Sequence, residues 1–168
     1  ALGSMTTDPR AVKDPKDCSV AELAEFEAFV VAGGEVTPLG LSARIRKAYC
    51  LSFLRTEECL IGVAGLKRPS ANHRAEVAKG AGLALPESQF PLELGWVFVL
   101  PGARGGKSLA LCTRLVEKAS DKGIFATSRS DNGAMHTTLE RLGFAHVGHA
   151  WPSGQNPNDL WLFTRPAA

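Results

Sequence analysis

The chain has 168 residues, enough for one domain with a sizeable core and too few for two comfortable ones. Apolar residues make up 45%, charged residues 21%, and the net charge is +2. This is a soluble globular composition, and the small basic excess does not by itself argue for nucleic acid. No stretch approaches the length of a transmembrane helix, and the N-terminus lacks a signal peptide's apolar core, so a cytoplasmic protein with no membrane partner is expected.

Ala1-Leu2-Gly3-Ser4 before Met5 reads as an expression scar, and Thr6 to Asp17 as an extended arm or short first strand. Residues 18–168 are expected to form a single domain. Ser19-Val20-Ala21-Glu22 is a capping box that opens a helix to about Ala32, with Leu23, Phe26 and Val30 facing the core. Gly33-Gly34 ends it, and Leu39 to Ala48 reads as a second helix. Tyr49 to Arg55 and Cys59 to Lys67 are strand-like runs joined as a hairpin. Arg68 to Leu92 is polar and punctuated by glycine and proline, with a short helix expected over His73 to Lys79, stopped by Gly80 and Gly82. The cysteines at 18, 50, 59 and 112 and the histidines at 73, 136, 146 and 149 lack metal-ligand spacing. No metal is expected, and the thiols read as buried or half-buried.

Glu93 to Leu100 is a buried strand pattern, Pro101 to Ser108 a glycine-rich turn, and Leu109 to Lys122 a helix. Leu109, Cys112, Leu115, Val116 and Ala119 mark its apolar face, and Gly123 falls where a left-handed residue would end it. A glycine turn that feeds a helix N-terminus exposes unpaired N–H groups beside a positive dipole end. With Arg104 and Lys107 added, it can take a phosphate or pyrophosphate. The plain alternative is an ordinary strand-to-helix connection with surface cations. Gly106-Lys107-Ser108 matches the end of a P-loop, but Pro101 stands where its first glycine belongs.

Val99-Leu100-Pro101-Gly102-Ala103-Arg104-Gly105-Gly106-Lys107 resembles the acetyl-CoA turn of the Gcn5-related N-acetyltransferases (GNAT). Lys107 and Leu109 stand where that family usually has glycine and a small residue. Asn132 to Phe144, with its Leu142-Gly143-Phe144 ending, resembles the family's later helix, and the strand Ile124–Ser128 precedes it in the required order. The resemblance implies an α+β fold with a mixed, mostly antiparallel sheet of about six or seven strands flanked by about four helices. It also makes Arg68–Leu92 an insertion, which either overhangs the acceptor side or is a decorative surface loop.

The resemblance further implies direct acetyl transfer from acetyl-CoA to an amine acceptor of unstated class. The alternatives are a CoA-binding module weakened in catalysis and, distantly, a P-loop-like nucleotide binder. The pantetheine would lie along the backbone at Phe98 and Val99. Arg104, Gly105, Gly106, Lys107, Ser108 and Leu109 would hold the pyrophosphate, and Asn132 the cofactor arm. Glu93, at the start of the central strand, is the expected general base, set against a solvent-exposed strand-end carboxylate; Glu35 is the next candidate. Thr127 and Arg129 could meet the acceptor, although Arg129 paired to an acid beside an Asp131 helix cap serves as well. The family's proton-donating tyrosine is replaced by Leu139. Oligomeric state stays open.

Overall fold

A computed structural model describes residues 12–57, 59–103, 105–154 and 157–168. The chain forms two compact units. One takes the described residues up to Lys67 with Gly95–Lys118; the other takes Arg68–Leu94 with Ala119–Ala168. Among the described residues, seven strands follow the hydrogen-bonded order β1-β2-β3-β4-β5-β7-β6, numbered along the chain, and five helices flank them. The sheet is mixed, as expected.

The first unit holds β1 (Val12–Lys13), α1 (Val20–Gly33), α2 (Leu41–Arg46), the antiparallel hairpin of β2 (Cys50–Thr56) and β3 (Cys59–Lys67), the later part of β4 (Leu92–Val99), and α4 (Lys107–Lys118). The capping box is present: Glu22 N donates to Ser19 Oγ at 3.0 Å and Ser19 N to Glu22 Oε1 at 2.8 Å. Its two bonds satisfy N–H groups that the helix start leaves unpaired. Phe26 and Val30 bring α1 onto Leu41, Ile45, Phe53, Val63 and Trp96. On α4 the buried stripe is Leu111, Cys112, Leu115 and Val116, whereas Leu109 is only half-buried. Leu111 occupies the space beside Gly62, where a Cβ would come within 3.0 Å of its Cδ1.

The second unit holds α3 (Ala71–Ala81), the first residues of β4, β5 (Ile124–Arg129), α5 (Gly133–Arg141), and the antiparallel pair β6 (Ala145–Pro152) and β7 (Asp159–Arg165). Leu92 and Glu93 pair in parallel with Ile124 and Phe125, and β7 lies antiparallel between β5 and β6. The segment before β4 is not a decorative loop. Its helix α3 is longer than expected, and Val77, Ala81, Leu85 and Phe90 pack with Phe125 and Leu162 in one buried cluster. Gly80 lies inside the helix, not at its end. A Cβ there would fall 2.5 Å from Trp151 Cγ, so the glycine lets the indole lie on the helix backbone. Gly82 ends α3 with a left-handed φ of 72°.

Three further expectations are corrected. Gly123 is not a left-handed helix stop: α4 ends at Lys118, and the absent side chain admits the carbonyl of Gln89. Asn132, not Asp131, caps α5, accepting from Met135 N at 3.1 Å. Of the thiols, Cys59 is exposed, while Cys50 and Cys112 are buried and Cys18 is intermediate.

Candidate functional site

The glycine turn of the first unit begins with a 3-10 turn at Pro101–Ala103, closed by Ala103 N donating to Leu100 O at 2.9 Å. Proline suits its first position because the fixed φ is already right and the missing N–H is not needed there. Gly105 and Gly106 follow with φ of 121° and 73°, values that a residue with a Cβ resists. Among the described residues, no heavy atom beyond their chain neighbours lies within 4 Å of where their Cβ atoms would be, so the backbone is open on that side. Ala110 N donates to Gly106 O at 3.2 Å, and the N–H groups of Lys107, Ser108 and Leu109 precede the helix's own ladder. Lys107 Nζ stays near the turn, 3.5 Å from Gly105 O. Backbone donors, a positive dipole end and a cation therefore converge at the turn, an arrangement that can hold an anion. Arg104 lies outside the described residues.

Five residues before this turn, β4 carries an irregularity. Trp96 has φ of 56°, the left-handed region, in the middle of a strand. Such a conformation costs on the order of 1–3 kcal/mol in a non-glycine residue and persists only when its surroundings impose it. Those surroundings are dense. Phe26 meets the indole edge-on at 5.9 Å, Lys67 Nζ sits 5.3 Å above the ring, and Gly65 leaves room that a Cβ would close to 2.7 Å. A single left-handed residue interrupts the alternation of a strand and turns neighbouring backbone groups away from the ladder. Phe98 and Val99 follow directly, with Phe98 edge-on to Phe29 at 6.0 Å and against Gly33.

Glu93, in the second unit, is only 3% exposed and is not a solvated strand end. His73 Nε2 bridges its carboxylate, 3.0 Å from Oε1 and 3.1 Å from Oε2. Ser70 fixes the first turn of α3 that presents this imidazole, its Oγ accepting from His73 N at 3.1 Å. Below it, Arg74 donates to Phe90 O at 2.7 Å and Leu85 O at 3.1 Å, and stacks over Phe125. These bonds fasten α3 to the segment that leads into β4. A buried carboxylate needs such a partner, because desolvation without compensation is very costly.

Sequence reading missed His73, and the available signal was slight: a histidine in the first turn of a helix whose length was underestimated. Asn132 spends its carbonyl on the helix cap. Thr127 and Arg129 lie on β5, with Arg129 Nε 3.3 Å from Asp131 Oδ1. Arg129 O also accepts from His136 Nε2 at 2.9 Å. Glu35 is exposed in the loop between α1 and α2. Leu139 is fully buried, so its position belongs to the core of α5. Among the described residues, no group of three or more metal-ligating side chains occurs, and no helix is long and apolar enough to cross a membrane.

No family model matches the chain, and no curated protein matches it. Solved structures do. An acyl-CoA N-acyltransferase from Pseudomonas aeruginosa superposes with a TM-score of 0.66 at 16% identity, covering 92% of this chain and 96% of the other. A ribosomal-protein-alanine N-acetyltransferase from Brucella melitensis gives 0.64 at 20%, covering 92% and 98%. The yncA protein of Salmonella typhimurium, solved with its cofactor acetyl-CoA, gives 0.63 at 17%, covering 98% and 95%. At these identities the likeness is one of architecture, and it spans nearly the whole length of each partner. The chain has the GNAT fold.

Proposed function

We propose that the protein is an N-acetyltransferase that moves the acetyl group of acetyl-CoA directly to an amine. The observation that carries this reading is the succession along one strand: left-handed Trp96, then Phe98 and Val99, then the open Gly105–Gly106 cradle at the α4 N-terminus. Each part suits one piece of the donor. The cradle, Arg104, Lys107, Ser108 and Leu109 take the pyrophosphate, and Asn132 takes the cofactor arm. The Phe98–Val99 backbone takes the pantetheine, and the amides beside Trp96 take the thioester oxygen as charge builds on it. Glu93 supplies the carboxylate for the ammonium proton, with Glu35 the next candidate, and Thr127 and Arg129 meet the acceptor. Amine nitrogen then attacks the thioester carbonyl, the C–S bond breaks, and CoA leaves as the thiol.

The expected behaviour is thiol release that depends on both acetyl-CoA and an amine. Lys107→Ala removes one charge-assisted contact to phosphate, so acetyl-CoA affinity in a calorimetric titration falls about tenfold, on the order of 1.5 kcal/mol. Unchanged affinity, or tighter binding of ATP than of acetyl-CoA, refutes the placement. A second reading, a CoA-binding module without turnover, is favoured by the buried Leu139, which puts no hydroxyl at that helix position. Binding of acetyl-CoA with no thiol release across a panel of amines decides for it.

A further inference from the structure

Glu93 and His73 are unequal partners. The carboxylate is 3% exposed, while the imidazole that bridges both its oxygens is 42% exposed. With Nε2 donating to the carboxylate, the lone pair of a neutral ring is on Nδ1. Among the described residues, Nδ1 makes no hydrogen bond. This is the order of groups in a nucleophile-activating triad: a buried acid, an oriented ring, and an outward basic nitrogen.

We infer that His73 is the group that meets the acceptor amine, with Glu93 behind it as the buried anion that fixes the ring's tautomer. The inference rests on the acetyl-transfer reading and moves the proton acceptor from the Glu93 carboxylate to the His73 ring that it holds. Nδ1 takes one proton from the ammonium, which leaves a neutral amine and an imidazolium balanced by Glu93. The amine nitrogen bonds to the acetyl carbon and the C–S bond breaks. The nitrogen's surplus proton goes to the departing thiolate, and His73, open to water, releases its own proton to solvent. Atoms and charge balance without a further reactant.

The surroundings leave the ring to this task. α3 packs on β6 and β7, which carry His146, His149, Asp159 and Arg165. His149 lies against Gly82 at the far end of α3, His146 stacks on Trp161, and Arg165 donates to Leu142 O. On α3 itself, Arg74 is held by Leu85 O and Phe90 O, and Glu76 and Lys79 are exposed. Among the described residues, Glu93 is the one acid that contacts the His73 ring.

The test compares His73→Ala, His73→Gln and Glu93→Gln with the unaltered protein in a thiol-release assay across pH. The expected result for both His73 variants is turnover lowered about 10²–10³-fold, the share of a general base, with the acid limb of the pH–rate profile lost and acetyl-CoA affinity unchanged. Added imidazole should restore part of the turnover of His73→Ala, which a merely structural histidine would not allow. Nitrogen NMR of the unaltered protein should show the Nε2–H tautomer of His73, and Glu93→Gln should abolish that preference. An active protein whose His73 variants keep their rate and acid limb overturns the inference and leaves acetyl transfer standing, as does a ring protonated on Nδ1. An unaltered protein that turns over no amine overturns both.

Discussion

Replacing Gly123 by alanine tests how the second unit holds the start of β4. The new Cβ would lie 2.0 Å from Gln89 O and 3.0 Å from Phe90 Cδ1. Real Cβ contacts essentially never fall below 3.0 Å, so the carbonyl has to retreat by about an ångström. It has little freedom to do so. Gln89 N and Phe90 N both donate to Pro86 O, at 3.0 and 2.9 Å, and Arg74 holds Phe90 O and Leu85 O. Overpacking usually costs 1–3 kcal/mol, and a clash with tethered backbone belongs at the upper end, about 3 kcal/mol. For a chain of this size the melting temperature should fall by about 6–12 °C. Turnover should fall as well, because Ile124 and Phe125, next in the chain, pair with Leu92 and Glu93. Thermal unfolding by circular dichroism and urea midpoints give the measurement. Asparagine separates this account from a helix-stop glycine. At a left-handed stop it would be tolerated better than alanine; against the Gln89 carbonyl it should be at least as damaging. A Gly123→Asn protein of near-normal stability would refute the packing argument.

Two other expectations concern ionisation. Lys13 donates to Glu22 Oε2 at 2.6 Å, and this bond holds the Glu22 carboxyl below its ordinary 4.5. A carboxyl lowered in the folded state adds stability above its unfolded value and loses it as pH falls through the folded value. Glu22→Gln should therefore cost up to about 1 kcal/mol at pH 7 and nothing once pH is below that range; a pH-independent difference would contradict the pairing. Burial pushes the Cys112 thiol up to about 12. At Cys18, burial and then the Glu22 carboxylate push it up to about 11. Alkylation with iodoacetamide at pH 8 should label exposed Cys59 far faster than either, and Cys112 labelling at a similar rate would mean that α4 opens readily.

Elements with a complete local signal were legible in the sequence. The capping box, the Phe26–Val30 spacing and the Cys59–Lys67 run each specify their structure within a few residues. What sequence reading missed depends on distant partners. Gly80 reads as a helix stop, yet its missing side chain serves Trp151, and Gly123 serves Gln89 in the same way. Glycine has two uses, left-handed backbone and close approach, and only the neighbour distinguishes them. Glu93 reads as a strand end with two outcomes, solvated or catalytic, because His73 lies in a segment whose polarity concealed a packed helix. The left-handed Trp96 has no local signature, since tertiary packing imposes its φ. Of the candidate site, the turn was therefore legible in its backbone chemistry, and the carboxylate only in position.

The order β5-β7-β6 has a consequence during synthesis. β7 pairs along its length with β5, from Ile124–Arg165 to Arg129–Leu160, and it also carries β6. Leu162 closes the cluster that covers Val77 and Phe125. On the ribosome, α3, β5 and β6 emerge before the strand that joins them, so the nascent chain carries an open strand edge and an uncovered apolar face. At roughly 5–20 residues per second that exposure lasts for seconds. The β2–β3 hairpin, by contrast, closes on itself within a few residues of its turn. Stalling translation just before residue 159 should therefore yield a chain with a folded hairpin and a chaperone-binding second unit.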